Sequence, residues 1–412
     1  MRILIVSEDV PYKSMGGLAK HALNLARALV RAGHEVDILG GDQHPIAVAG
    51  EEGQFGGRFF GELNGHRAGW KEGSLGMYLP PKRTWLAERF ARIILRHAHG
   101  YDVIHYHGHV PNLARFLPED LNFVQTRHDQ GSDCLAHVRF CHGEICESTD
   151  PAECASCITP HPNALQRAVS KNAVIRFRRE VAESFRRHKT VFVSDKLQQN
   201  LTRTLGPGSW GVTVHNFVDT ERLKDARHWA ESTKWQRSHE QFQVFIAAKL
   251  YAAKGIERFL RELVPYLPPE MRVTIAGDGP DEARLRAEYE GSQVQFLGWC
   301  TPEKTLKTAA TADAMVVPSI LEESCPTTVL EGLLLGKPTF ALALGGTPEL
   351  DIYAASPDQL RLHQNMASLV QDLVTFEPRA NYGAVPDGLG GADHALRQLL
   401  DIYRSPPGHS LN

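Results

Sequence analysis

Two glutamates, Glu323 and Glu331, stand on either side of the start of a predicted helix, with seven residues between them. The helix begins at Pro326 or Thr327, and proline suits the first turn of a helix. The N–H groups at a helix N-terminus bind phosphate oxygens, and here they belong to Cys325, Thr327 and Thr328. The segment therefore predicts a diphosphate site with one carboxylate for the sugar and one for the ribose of a nucleotide-sugar. The alternative is a capped surface helix with solvated glutamates.

The segment Pro318 to Pro338, PSILEESCPTTVLEGLLLGKP, resembles the retaining glycosyltransferases of family 4, which include bacterial glycogen synthases, sucrose synthases and phosphatidylinositol mannosyltransferases. In that family the first glutamate, here Glu323, contacts the transferred sugar, and the second, here Glu331, contacts the ribose. The resemblance extends over nearly the whole chain. It implies the GT-B fold and transfer with retention of the anomeric configuration through an oxocarbenium-like transition state.

Two lysines in FIAAKLYAAKGIE, Lys249 and Lys254, stand where the family carries an arginine and a lysine. The resemblance implies that this pair binds the donor diphosphate and neutralises the leaving group, so that catalysis requires no metal cofactor. Lys249 supplies the charge of the usual arginine but not its planar set of donors. The alternative is a pair of solvated lysines at a helix start.

Residues at predicted strand ends in both halves of the chain match further positions of the family's donor site. Gly16 and Gly17 open the first helix where the family's loop faces the donor diphosphate and the acceptor, although a tight turn uses glycine anyway. His128 matches the family histidine that contacts the donor sugar, although a lone histidine is more often structural. The backbone around Trp299 and Cys300 matches the part that lies beside the nucleotide base. These positions complete a predicted donor site.

Three histidines alternate along another strand end, at His105, His107 and His109. Alternation places them on one face of an extended segment, and we interpret them as cleft-lining residues rather than metal ligands. The glycine turn before the first helix lacks the third glycine of a dinucleotide fingerprint. This argues against an NAD-dependent oxidoreductase.

Five of the seven cysteines lie in one segment, and the run CHGEICESTDPAECASC contains most of them. Two residues separate Cys154 from Cys157, which is the usual spacing in a zinc knuckle. The pattern predicts a structural zinc bound by Cys141, Cys146, Cys154 and Cys157. The fourth ligand stays open, since His142 and Cys134 are also within reach of Cys146. A redox-labile disulfide or free buried thiols are the alternatives.

Strand and helix patterns alternate in both halves, which predicts an α/β protein with parallel sheets. With the resemblance, this predicts the GT-B architecture of two Rossmann-like, doubly wound domains and an interdomain cleft. The expected acceptor-side domain is 1–215, with a cysteine-rich insertion at 134–157, completed by the C-terminal helix 394–412. The expected donor domain is 216–393. Residues 220–240 carry many charges and no strand signal, and are expected to connect the domains.

The 412-residue chain has a formal net charge of −3. A nearly neutral charge argues against a nucleic-acid partner. No apolar stretch reaches the ~20 residues of a spanning helix, and the N-terminus is a strand pattern rather than a signal peptide, so we expect a cytoplasmic protein. The arginine-rich helix at 163–188 either contacts anionic lipid peripherally at the inner face of a membrane or is an ordinary solvated face.

The predicted function is transfer of a sugar from a nucleotide-diphosphate donor to an acceptor. The sequence leaves three acceptor classes open: a glycan, a lipid-linked sugar and a small molecule. The rival interpretations are a nucleotide-sugar epimerase of the same architecture, a non-catalytic nucleotide-sugar sensor and an interaction module built around the cysteines.

Overall fold

The structure is a computed structural model that describes residues 1–11, 16–63, 80–158, 163–233, 241–377 and 391–408. The chain divides into two compact units. Unit 1 contains Met1–Cys141, Cys146–Asn216 and the chain from Ala392 onward. Unit 2 contains Phe217–Gly391 and the short segment His142–Ile145.

Unit 1 is built on a parallel sheet. The strands up to residue 216 are β1 (Arg2–Ser7), β2 (Glu35–Gly41), β3 (Phe59–Leu63), β4 (Val103–His107), β5 (Phe123–Arg127), β6 (Phe140–Cys141), β7 (Glu144–Ile145), β8 (Lys189–Phe192) and β9 (Val212–Thr213). β6 and β7 pair only with each other, and the other strands form one sheet in the order β3-β2-β1-β4-β5-β8-β9. The strand order reverses between β1 and β4, as in a doubly wound fold.

Unit 2 repeats this plan. Its strands are β10 (Phe242–Ala247), β11 (Met271–Ala276), β12 (Val294–Gly298), β13 (Ala314–Val317), β14 (Thr339–Leu342) and β15 (Leu360–His363). They form a parallel sheet in the order β12-β11-β10-β13-β14-β15, which reverses between β10 and β13. The prediction of two doubly wound α/β domains is therefore confirmed. Ligands of such sheets bind beyond the carboxyl ends of the strands, at the point of reversal.

Helices cover both sheets. Those of the described residues are α1 (Gly17–Arg31), α2 (Pro80–Ala98), α3 (Pro151–Ile158), α4 (Ala164–Arg187), α5 (Asp195–Leu205), α6 (Thr220–Thr233), α7 (Ile256–Leu263), α8 (Glu282–Tyr289), α9 (Pro302–Thr311), α10 (Thr327–Leu334), α11 (Met366–Val374) and α12 (Ala392–Arg404). Their apolar faces are buried; in α7, for example, Phe259 and Leu260 pack with Val244 and Ile246 of β10. No helix among them is long and apolar enough to span a bilayer.

The connection expected at 220–240 is largely helical, because α6 occupies Thr220–Thr233. Leu223, Ala226 and Ala230 recur at helical spacing and are buried, and the helix packs against α9. The rest of that segment, 234–240, lies outside the described residues, as do 64–79 and the last residues, 409–412.

Candidate functional site

The carboxyl ends of β10 and β13 meet where the unit 2 sheet reverses, and the loops that follow them carry most of the predicted donor site. The loop after β10 contains Lys249 and ends in a short 3-10 turn, Ala252–Lys254. Gly255 follows with φ +71°, and a Cβ there would lie 1.9 Å from the Pro318 carbonyl oxygen. Glycine at this position therefore allows the loop after β10 to pack directly on the loop after β13.

An ion pair joins these two loops. Lys254 Nζ lies 2.5 Å from Glu323 Oε1, and the Ser319 hydroxyl donates a hydrogen bond of 2.6 Å to the same oxygen. Burial alone would lower the pKa of Lys254, but the Glu323 carboxylate outweighs burial and the pKa is raised. Lys254 is therefore held as a cation beside the first predicted carboxylate. Sequence reasoning missed Ser319, because no pattern marks a serine of this loop as a carboxylate partner.

The turn after β14 holds the backbone of Glu323. Gly346 N donates a hydrogen bond of 2.8 Å to the Glu323 carbonyl oxygen. Gly345 has φ +61°, and a Cβ there would lie 2.3 Å from that oxygen. The GGTPEL turn at 345–350 thus brings a third loop against the Lys254–Glu323 pair, and it does so through backbone atoms.

The helix after Glu323, α10, begins at Thr327, and no side chain caps its N-terminus within the described ranges. The first N–H groups of a helix have no partner inside the helix, and a side-chain cap usually supplies one. Cys325 is buried, whereas Thr327, Thr328 and Glu331 are half-buried. The end of this helix has the polarity that attracts an anion.

The remaining predicted donor residues lie on other loops of unit 2. Lys249 is exposed, and its ammonium group forms no hydrogen bond or ion pair with any residue that the structure describes. Trp299 and Cys300 follow the edge strand β12, and the Trp299 side chain is 53% exposed. The structure thus brings Lys254 and Glu323 into direct contact, while Lys249 and Trp299 are open to solvent or to a ligand.

In unit 1, α1 begins at Gly17, with Gly16 as its N-cap residue. Both glycines are exposed, and a Cβ at either would meet no described atom within 4 Å. The φ of Gly16 is −71°, which any residue adopts. Nothing in the described part of the protein requires glycine at these positions, and residues 12–15 of the turn lie outside it.

His128 follows β5 and belongs to a group of neighbouring imidazoles whose rings are tilted or edge-on to one another. Its Nε2 lies 2.9 Å from His107 Nδ1, and one ring nitrogen each from His21, His107 and His128 lie within 4.8 Å of one another. Burial lowers the pKa of His128 and His107 well below the usual range and that of His21 to about 4. These rings are therefore neutral at pH 7. His105 is also buried, between Tyr403 Oη and Thr126 Oγ1.

His109 has the opposite electrostatic environment. Its two ring nitrogens lie 3.0 Å from Asp9 Oδ2 and 3.0 Å from Asp129 Oδ2, and His137 Nδ1 lies 3.0 Å from the same Asp129 oxygen. Burial alone would lower the pKa of His109, but the two carboxylates outweigh it and the pKa is raised well above the usual value. His109 is a charged member of an ion-pair cluster. Sequence reasoning missed Asp9 and His137, which are distant from His109 along the chain.

The cysteine segment forms the hairpin of β6 and β7 followed by helix α3. Cys141 Sγ and Cys157 Sγ are 3.5 Å apart. The sulfur of Cys154 accepts a hydrogen bond of 3.2 Å from Arg178 Nη2. Within the described residues, no three thiols lie within 4.8 Å of one another, so Cys146 and Cys154 are not drawn together with the other two. Zinc binding by these four cysteines stays a prediction.

Comparison with known proteins places the chain among glycosyltransferases. Residues 15–222 match the family model of Glycosyltransferase Family 4, and residues 241–372 match that of Glycosyl transferases group 1. Glycogen synthase of Mycobacterium tuberculosis is 26% identical over 385 residues, covering 85% of this chain and 80% of that one. A glycosyltransferase of Methanocaldococcus jannaschii is 22% identical over 382 residues, covering 87% of each chain.

Solved structures share the fold over nearly the whole chain. HepE of Anabaena, solved in complex with UDP and glucose, superposes with a TM-score of 0.60 at 17% identity, covering 98% of this chain and 99% of that one. Sucrose-phosphate synthase of Thermosynechococcus elongatus superposes with a TM-score of 0.63 at 17% identity, covering 98% of each chain. The GT-B fold is confirmed, and since one family model spans half of the chain, this protein is a glycosyltransferase that belongs to Glycosyltransferase Family 4.

Proposed function

We propose that the protein transfers a sugar from a nucleotide-diphosphate donor to an acceptor with retention of the anomeric configuration, and that unit 2 binds the donor. The observation that carries this proposal is the Lys254–Glu323 ion pair, 2.5 Å long, at the point of strand reversal beside an uncapped helix N-terminus. A cation, a carboxylate and the N–H groups of a helix N-terminus at one place suit the diphosphate and sugar hydroxyls of such a donor.

The donor's parts fit different residues of unit 2. The diphosphate binds Lys249, Lys254 and the N–H groups at Cys325, Thr327 and Thr328. Glu331 accepts hydrogen bonds from the ribose, as in the family that the sequence resembles. Trp299 offers an exposed aromatic face next to Cys300, where the base lies in that family. UDP is the nucleotide bound in the HepE structure, and it is the first to test.

The chemistry requires stabilisation of charge on both sides of the breaking bond. As the sugar C1–O bond breaks, negative charge grows on the leaving diphosphate, and the lysines and the helix N-terminus stabilise it in place of a metal ion. Glu323 accepts hydrogen bonds from the sugar, while Ser319 and Lys254 fix the direction of its carboxylate. The acceptor oxygen bonds to C1 on the face that the diphosphate leaves, and the departing phosphate oxygen takes the proton of the acceptor hydroxyl.

Unit 1 supplies three further ligand-binding residues in this proposal, Gly16, Gly17 and His128. The exposed Gly16 and Gly17 allow a ligand to approach the backbone closely, and no described atom needs them to be glycine. The family resemblance assigns sugar binding to His128, and its neutral imidazole can donate and accept the hydrogen bonds that sugar hydroxyls require.

We also propose that α4 contacts anionic lipid and that the acceptor is membrane-associated. Leu165 is 74% exposed and Val169 is 48% exposed, and they lie one turn apart on a helix face that also carries the exposed cations Arg176 and Arg179. An exposed apolar and basic face of this kind suits a lipid surface. Co-sedimentation with phosphatidylserine vesicles, but not with phosphatidylcholine vesicles, is expected; recovery in neither pellet contradicts this part of the proposal.

Glu323→Gln tests the catalytic assignment. We expect turnover to fall by on the order of 10²–10³-fold, with the nucleotide affinity within a few-fold of the native value. Glu303→Gln is the matched control, because Glu303 also pairs with a lysine at 2.5 Å but its side chain is exposed at the start of helix α9. Native turnover in Glu323→Gln contradicts the assignment.

The wild-type protein distinguishes the rival functions. Conversion of the donor sugar without an acceptor identifies an epimerase, and binding of the donor without turnover identifies a sensor.

A further inference from the structure

The segment of residues 134–158 contains little apolar packing of its own. Its buried apolar residues, among the side chains described there, are Leu135 and Ala155. The segment nevertheless forms defined structure, the β6–β7 hairpin and helix α3. A small module without a core usually depends on a disulfide or a metal ion for its stability.

The hairpin and the helix each carry two cysteines. Cys141 ends β6 and Cys146 directly follows β7, while Cys154 and Cys157 are three residues apart on α3 and therefore share one face of the helix. The Sγ atoms of Cys141 and Cys157 are 3.5 Å apart. Two thiolates bound to one tetrahedral zinc ion at ~2.3 Å each are about 3.8 Å apart. One sulfur from the hairpin and one from the helix are thus already near the separation that a shared zinc ion requires.

Hydrogen bonds also position the other cysteine of each pair, Cys146 on the hairpin and Cys154 on the helix. Cys146 N donates a hydrogen bond of 2.7 Å to Arg139 O, and Arg139 Nε donates one of 3.1 Å to Cys146 O. On the helix, Arg178 Nη2 donates to Cys154 Sγ. Donors to a ligand sulfur are the usual surroundings of a metal-bound thiolate.

Buried positive charge supplies an independent observation. Arg139 is 2% exposed and Arg178 is 8% exposed. Asp133 pairs with Arg139, yet Arg139 Nη2 and Arg178 Nε are buried without a hydrogen-bond partner among the described residues. Buried guanidinium N–H groups are costly unless they face negative charge. A zinc ion with four thiolates has a net charge of −2, which complements these two cations.

We propose that Cys141, Cys146, Cys154 and Cys157 bind one structural Zn²⁺ ion that joins the hairpin to helix α3. The side chains of Cys146 and Cys154 turn toward the Cys141–Cys157 pair when the metal binds, since no third thiol lies within 4.8 Å of that pair among the residues that the structure describes. Four thiolates close the coordination sphere and leave no position for a substrate. The site therefore has a structural role beyond the proposed transfer reaction.

The first test is elemental analysis of the full chain, purified without added metal and without a metal-affinity resin. We expect about one zinc ion per chain, and its loss from Cys154→Ser and Cys157→Ser. Cys300→Ser is the matched control and keeps the zinc, because Cys300 lies in unit 2 after β12. Zinc that survives Cys154→Ser but is lost from His107→Ala places the metal in the imidazole group and overturns the proposal.

Cobalt substitution of the wild-type chain keeps the test decisive if the serine variants fail to fold. Four thiolates around Co²⁺ give the intense visible absorption of a tetrahedral site together with sulfur-to-cobalt charge-transfer bands. A spectrum without charge-transfer bands contradicts the proposal. So does wild-type protein that carries no zinc and shows a Cys141–Cys157 disulfide by mass spectrometry under non-reducing conditions.

Discussion

Alanine at Gly345 is expected to disable the donor site without unfolding unit 2. Gly345 has φ +61°, and a Cβ there would lie 2.3 Å from the Glu323 carbonyl oxygen and 2.7 Å from its amide nitrogen. The left-handed conformation costs a residue other than glycine about 1–2 kcal/mol. An ordinary carbon–oxygen contact is about 3.3 Å, so Glu323 must shift by roughly 1 Å. A displacement of about 1 Å at a reacting group costs on the order of 10²-fold in rate.

The assay compares turnover with thermal stability in the same preparation. We expect Gly345→Ala to lose about a hundredfold in kcat, while its unfolding midpoint falls by only about 2–8 °C. Gly291→Ala is the control, because a Cβ at that exposed loop glycine of unit 2 meets nothing within 4 Å. Native turnover in Gly345→Ala, or an equal loss in Gly291→Ala, would refute the link between this turn and Glu323.

Four further predictions follow from other parts of the structure. The stability that His109 adds should be full below about pH 6.5 and decline as the pH rises through its raised pKa, so the gap in unfolding midpoint between wild type and His109→Gln should narrow as the pH rises above about 6.5. Lys189 Nζ donates hydrogen bonds to Ile402 O at 2.9 Å and Ser405 O at 2.6 Å. Lys189→Met should therefore lower the free energy of unfolding by about 1.5–3 kcal/mol and speed amide hydrogen exchange in α12. Unchanged exchange contradicts this. Gly16→Ala should keep the native unfolding midpoint, since its Cβ meets no described atom, but should lower turnover, because the new methyl group stands where a ligand approaches the backbone. Loss of folding would show instead that the turn itself requires glycine. Turnover should continue when excess EDTA is added at the start of the assay, and prompt loss that magnesium restores would contradict a metal-free diphosphate site.

The sequence predicts the two doubly wound domains well, because buried parallel strands and the helices between them have strong local patterns. Helix α6 shows where this fails. Its buried residues include the small Ala226 and Ala230, and exposed charges dominate the rest of the segment, so its apolar face is hard to recognise. Helix α3 is hard to recognise for a related reason, since it has only eight residues and little apolar periodicity.

The candidate site is predicted in part. The spacing of Lys254, Glu323 and Glu331 is local and recognisable, and the structure brings the first two into contact. The role of Ser319 and the backbone support from Gly345 depend on three loops that meet in space after β10, β13 and β14. These contacts depend on how the three loops meet in space, and the sequence of any one loop does not show that. Sequence reasoning therefore could not find them.

Calorimetric titration with UDP, ADP and GDP tests the central claim most directly. One of these nucleotides is expected to bind the wild type. Lys249→Ala and Lys254→Ala are each expected to lower the affinity for that nucleotide by about 10–100-fold, because each removes one charged hydrogen bond of about 1.5–3 kcal/mol. Lys249→Arg should bind as the wild type does, and so should Lys307→Ala, because Lys307 pairs with Glu303 on helix α9. Absence of binding by all three nucleotides, or unchanged affinity in both alanine variants, would contradict a nucleotide-diphosphate site in unit 2.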